Sequence, residues 1–340
     1  MAIEYYKGFD SYVVYDEETG YGTGATPAAG NRVGRVTGVS INMTNNFFKT
    51  QGMGEGRNAT GAFTGPFDVT GTIDWDVDDF TFMQYAIGTR SGAGAVANPY
   101  QLDEADNIGY DAANIPTIAL EFGSEGDSND FEVTVDGVVI NNLTISATQG
   151  ETLKANCDWI GRNVNSSASI ITYTAPTTKV FVFQQGDVIV GSDSFHCTAF
   201  SLTIANNIQT YRNLGSRLLQ QPTTGMRRYD FSITFRKKFD DTGSVLSGTE
   251  ALGLFFDGAT GTTPTTSGTS TAKAVSLDIT EGASSGDRVV NIDLENCYFE
   301  SWSEPIALDG GVIEVTVAGF GLAGLTDGAD KVPIRYYTVA

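Results

Sequence analysis

Three short constellations in this 340-residue chain hold residue types able to do chemistry. The first is Asp74-x-Asp76-x-Asp78, alternate carboxylates like those that open a calcium loop. Such a loop needs glycine at its sixth position and a bidentate glutamate at its twelfth. Asp79 and Tyr85 stand there, which excludes an EF-hand. The second is the single histidine, His196, beside Cys197. A zinc site needs further ligands, and no CxxC or HExxH supplies them. The pair reads as an ordinary strand or loop dipeptide. The third is Gly319–Gly324, GFGLAG, a match to GxGxxG. A dinucleotide fold would continue into a helix and a parallel strand, whereas LTDGADKVP follows here, so the stretch reads as a glycine-rich turn. No GxxxxGK[ST] phosphate loop occurs. Carboxylates are too numerous for any two to be singled out as an acid–base pair. The sequence points to no catalytic residue, no metal site and no cofactor.

Charge and composition narrow the remaining classes. Acidic residues outnumber basic ones 41 to 20, for a net charge of −21. Such a surface repels phosphate backbones and argues against a sequence-reading DNA binder. The N-terminal stretch has neither the basic nor the apolar segment of a signal peptide. No apolar run has the length of a membrane helix. Cys157, Cys197 and Cys297 are few and scattered, and read as small buried thiols rather than as a disulfide framework. With 40 glycines and many Thr, Val, Ile and aromatic residues, the chain suits a β-rich fold with many turns.

The elements that must carry any function repeat. Val39, Ile41 and Met43 alternate with Ser40, Asn42 and Thr44, the period of a half-buried strand. That strand ends in Asn45-Asn46. A long glycine-rich loop over residues 45–67 follows, then an alternating strand to Asp76, a helix over Phe80–Ile87 capped by Asp78 or Asp79, and an insertion over residues 89–116. The second half repeats this order. Phe200, Leu202 and Ile204 alternate up to Asn206-Asn207, and a long loop covers residues 206–229. Phe231, Ile233 and Phe235 alternate next, then come a short helix over Thr249–Phe256 and a low-complexity insertion over residues 258–273. Several strands close each half, and Lys179–Phe183 stands in the second where Tyr12–Tyr15 stands in the first. A repeated unit of this size predicts two domains, residues 1–170 and 171–340, divided within the linker-like Ser166–Thr178.

This pattern resembles the phage tail tube protein family, whose fold is shared by type VI secretion tubes and phage-derived injection tubes. Tyr12–Thr23 is similar to the N-terminal stretch of some tube proteins, and Gly150–Ile160 to their late hairpin. The resemblance implies two tandem tube-like β-sandwich or barrel domains, each with one short flanking helix and a long loop between early strands. It further implies a major tail tube subunit, without enzymatic activity, in the virion tail after assembly in the host cytoplasm. Three subunits would form a pseudo-hexameric ring, and rings would stack into a conduit for double-stranded DNA that is not specifically bound. Tape measure, baseplate or tip, tail terminator and sheath proteins would be its neighbours, with no membrane partner.

On that reading the polar strand faces line the lumen: Ser40, Asn42, Thr72, Asp74, Asp76, Thr144, Asn156 and Asp158, then Ser201, Thr203, Thr234, Asp293, Glu295 and Glu314. The alternative is that they are ordinary solvent faces of a sandwich. The long loops would contact the next ring through Phe47, Phe48, Met53 and Phe63, and through Tyr211, Leu214, Leu218 and Leu219, with Arg212 and Arg217 pairing across to it. Loops folded back on their own domain are the other arrangement open to them. Two rival functions fit the same features: another tail, baseplate or secretion-type tube component, or an acidic β-sandwich module that binds carbohydrate or calcium.

Overall fold

A computed structural model describes residues 6–339 except 55–56, 60, 110–113, 127–129, 168–169, 172, 192, 196, 238–251, 254, 257–271, 307–311 and 323–333. The chain is mainly β, and its described residues form one open sheet of 17 strands. The first half supplies β1 (Ser11–Glu17), β2 (Arg35–Thr50), β3 (Gly61–Asp76), β4 (Gly88–Ser91), β5 (Tyr100–Glu104), β6 (Ile118–Ser124), β7 (Phe131–Thr148), β8 (Lys154–Gly161) and β9 (Asn163–Ser167). The second supplies β10 (Gly186–Val190), β11 (Asp193–Phe195), β12 (Cys197–Ala205), β13 (Arg228–Arg236), β14 (Lys273–Thr280), β15 (Arg288–Ser303), β16 (Glu314–Gly321) and β17 (Ile334–Thr338).

Apolar residues at every second position bury one face of most strands. In β8, β12, β13 and β16 each buried residue is followed by a half-buried or exposed one. The inward side chains of both halves join in one core, with Trp75, Trp159, Phe80 and Phe181 among the largest fully buried. Two strands are long enough to serve two regions. Phe131–Val138 of β7 pairs with β6 and β9, while Val139–Ser146 pairs with β8. In β15 the first part pairs with β14 and β17, and Cys297–Ser303 with β16. Both carry a bulge, between Ile140 and Asn142 and between Phe299 and Ser301.

The pairing order β2–β3–β8–β7 in the first half is matched by β12–β13–β16–β15 in the second. β7 also pairs with β12, so these strands make one continuous run across both halves. Gly71 sits on β3 between Ile41 of β2 and Trp159 of β8. A Cβ there would lie 2.1 Å from the Ser40 carbonyl oxygen and 2.3 Å from the Trp159 ring. Gly71→Ala is expected to cost about 1–3 kcal/mol, the usual range for overpacking. Urea unfolding measures it as a lower midpoint at unchanged slope; an unchanged midpoint would mean that this packing yields freely.

Several expectations need correction. Residues 45–67 are not a loop throughout. β2 and β3 stay paired outward to Thr50 and Gly61, with a bulge between Asn45 and Phe47, so the segment is a long hairpin. The counterpart of β1 is β10, not Lys179–Phe183. Val188 faces Leu277 as Val13 faces Phe122, while Phe181 is tied by backbone hydrogen bonds to Val77 and Leu153. The expected first helix is a 3-10 turn over Thr81–Met83 followed by α1 (Gln84–Ile87), with Asp79 accepting from the Thr81 amide at 2.9 Å. The insertion over 89–116 contains β5, which pairs with β17 of the other half. Of the expected second helix, Leu252, Gly253 and Phe255 are described and helical; the insertion over 258–273 lies almost wholly outside the described residues.

Candidate functional site

The outward face of the continuous run brings most of the singled-out polar residues together in rows. One row reads Asp76, Lys154, Ser146, Ser201, Ser232, Ala318 and Ser301. Its neighbour reads Asp74, Asn156, Thr144, Thr203, Asp230, Phe320 and Tyr298. Ser40, Thr72 and Asp158 form a third with Asn142, and Thr234 and Thr316 a fourth with Ser303. Cross-strand hydrogen bonds tie the rows: Ser40 to Thr72 at 2.9 Å, Thr144 to Thr203 at 3.0 Å and Thr234 to Thr316 at 3.0 Å. The Asn142 amide donates to Asp158 at 3.0 Å and that of Asn156 to Asp74. Such pairs fix a polar face rigidly and satisfy it internally. Asn42 faces Thr70, and Glu314 faces Arg236 at the far end.

Asp293 and Glu295 are set apart from these rows. They lie in the first part of β15, before the bulge, where Asp293 pairs with Ser276 of β14. Burial there, and then the neighbouring Asp278, push the Asp293 carboxyl above its ordinary range.

The run has two open ends. β2 pairs with β3 alone, and Tyr298–Ser303 of β15 pairs only with β16 among the described strands. Unpaired edges are sites where another strand can add. The β2 edge carries exposed Val39 and Met43, and exposed Ile306 follows β15.

The third feature is the hairpin. Phe47, Phe48, Met53 and Phe63 are all exposed on it, and Phe48 faces Phe63 across the two strands. The second long loop does fold back, and it folds onto this hairpin. Arg217 donates to the Gly65 carbonyl at 2.7 Å and to the Asn45 side chain; Arg212 donates to the Phe67 carbonyl at 3.0 Å and pairs with Asp68. Arg227 and Arg228 are held within the chain too, by Asn206 and Asp230. Leu219 is buried and Leu218 half-buried, while Tyr211 and Leu214 stay exposed beside the hairpin. The arginine contacts sequence reasoning assigned to an adjoining ring are therefore intramolecular braces. Arg217→Ala is expected to leave stability within about 1 kcal/mol, as for exposed polar contacts. It should nevertheless speed proteolysis in residues 206–227; cleavage at the wild-type rate would show that the brace holds nothing.

The other constellations do not converge. Asp74, Asp76 and Asp78 accept from Asn156, Thr152 and Thr178 respectively, three separate partners. Among the described residues no group of three His, Cys, Asp or Glu is placed to hold a metal. His196 and Gly324 lie outside the described residues, while Gly319 and Gly321 lie in β16. Cys157 and Cys297 are buried, and burial pushes the Cys297 thiol up to about 12. One organising residue went unnoticed in the sequence. Buried Glu18 accepts from the amides of Gly22, Gly24 and Gly137 and from the Thr117 hydroxyl, which fixes the turn after β1. A lone glutamate in an acidic chain gives no signal of this.

Comparison with known proteins adds one finding. The family model described as phage tail tube protein matches residues 8–296, most of the chain. No curated protein matches it.

Proposed function

The chain belongs to the phage tail tube protein family, and from that premise we propose that it is the major tube subunit, three copies of which close into a ring of six similar units. As a family member it is a structural component of the virion tail. The observation that carries the finer reading is the β7–β12 joint, which places two four-stranded sets in one run with an open edge at each end. Each end lacks only what the other offers. Repetition of the joint between copies would abolish the edges by closing a barrel. The tethered rows of Ser, Thr, Asn and Asp would then line the lumen. A hydrated wall with few cations offers DNA phosphates nothing to hold. The hairpin, braced by the second loop, would reach the next ring with its exposed aromatics. The two units are read as a duplication, residues 1–170 and 171–340.

Electron microscopy of the purified protein, with its mass in solution, tests this. Rings of three copies, and tubes built from them at higher concentration, are expected. A chain that stays monomeric at every concentration would overturn the reading.

A further inference from the structure

The joint inside the chain specifies what should be found between chains. This inference rests on the tube reading and adds the register and the residues of the contact. Corresponding positions are given by strand pairing. Val39 faces Ile73 as Phe200 faces Ile233, and Met43 faces Val69 as Ile204 faces Tyr229. Their surroundings differ sharply. Phe200 and Ile204 are 2% and 0% exposed, whereas Val39 and Met43 are 40% and 52% exposed. The difference arises because β7 covers the β12 edge while no described strand covers the β2 edge.

A cleft reports the same asymmetry. Between β2 and the paired β1 and β6 lies a space of about 510 Å³, lined by Tyr12, Val13, Val36, Val39 and Phe122. The matching space beside β12, lined by Asp187, Val188, Cys197, Phe200 and Leu277, is about 210 Å³. Ala147 and Leu153 of the first half enter it, as do Val182 and Phe183. Ala147 faces Phe200 in the joint. The residues that would play these parts from a second copy can be counted from the shared bulge. Ser301 faces Ala318 just beyond it as Asn142 faces Asp158. The same number of residues onward from each gives Ile306 and Ala147. Ile313 precedes Glu314, which faces Arg236, as Leu153 precedes Lys154, which faces Asp76. Ile306 is 73% exposed, with Val312 exposed beside Ile313.

We infer that the β2 edge of one copy receives the end of β15 from a second copy in the register of the β7–β12 joint, Met43 meeting Trp302 and Asn42 meeting Ser303, with Ile306 closing the cleft beside Val39. The Asn42–Ser303 pair repeats Thr203–Thr144, and Met43–Trp302 repeats Ile204–Leu143. Two pairs depart from the joint: Ile41 meets Glu304 where Leu202 meets Ile145, and Ser40 meets Pro305 where Ser201 meets Ser146. Pro305 has no amide to give a ladder, so strand pairing ends near Ser303 and the cleft contact beyond it is made by side chains.

Paired cysteines read the register. On a Cys197→Ser background, Asn42→Cys with Ser303→Cys should form disulfides between copies under mild oxidation. Denaturing gels should show dimers and then covalently closed trimers. Thr44→Cys with Ser303→Cys, on the same face but displaced along the strand, should cross-link at least tenfold less, because a disulfide does not span that diagonal. All three positions are at the surface, and unchanged melting of each variant confirms folding. If rings form but the displaced pair cross-links and the aligned pair does not, or neither does, the register is wrong while the tube reading stands. If neither variant nor the parent chain associates at all, the tube reading fails and the joint with it.

Discussion

Replacing residues 49–62 by a two-residue turn between Phe48 and Phe63, and replacing both those phenylalanines by aspartate, is expected to leave single rings intact and to stop tube growth. The base of the hairpin, where β2 and β3 pair from Arg35–Asp76 to Asn45–Phe67, lies outside the deletion. Residues beyond Asn45 contribute none of the buried core side chains. At the rise of an extended strand the projecting arm of β2 adds about 20 Å. A two-stranded ribbon of this kind is not stable in water by itself. Here Arg212 and Arg217 brace its root, and Phe47, Phe48, Met53 and Phe63 stand exposed among the described residues. Burying one such side chain stabilises by about 1.5–3 kcal/mol. Losing several from each of three hairpins should raise the concentration needed for elongation by orders of magnitude. Micrographs and sedimentation measure this directly. Tubes of wild-type length from the shortened protein would remove the hairpin from the inter-ring contact.

The parts of this architecture legible in the sequence are those where one face of a strand meets the core. β12 and β13 show it: burial imposes period two, and Phe200, Leu202, Phe231 and Ile233 record it. The arms of the β2–β3 hairpin have no core on either side, so nothing forces Phe47, Phe48 and Phe63 into alternation. Glycines at 52, 54, 56, 61 and 65 then imitate a loop. Lys179–Phe183 misleads in the opposite sense. It alternates like a strand, yet Phe181 is a core plug on a connecting segment. Asp293 and Glu295 are separated from the rows because the first part of β15 pairs with β14 and β17 while Tyr298–Ser303 pairs with β16, with irregularities opposite Lys273–Val275 and at Phe299–Ser301. Period two does not register where a long strand changes partners. The arginines of the second loop illustrate a different limit. Composition gives their charge, but only the fold tells whether the acceptor, here Asp68 or the Gly65 carbonyl, belongs to the same chain.

Reversing charge on the polar face should convert a passive conduit into one that holds DNA. Asp74 and Asp158 stand in adjacent rows on β3 and β8, Asp74 facing Asn156 and Asp158 facing Asn142. Each accepts one amide bond from a neighbouring strand. Asp74→Lys with Asp158→Lys forfeits those two bonds at a cost of about 1 kcal/mol each. The apolar side of β3 and β8 is untouched, so tubes should still assemble. Every ring would exchange carboxylates for ammonium groups at the wall, repeated along the tube. Each phosphate so neutralised contributes a slope of roughly −0.9 to the logarithmic salt dependence of binding. Tubes of the variant should therefore retain double-stranded DNA at low salt and release it steeply as salt rises. Wild-type tubes, with net −21 per subunit, should retain none at either. Co-sedimentation of tubes with labelled duplex across a salt series gives both numbers. If the variant retains no more DNA than the wild type, these rows do not face the channel, and the lumen must be lined by another face of the sheet.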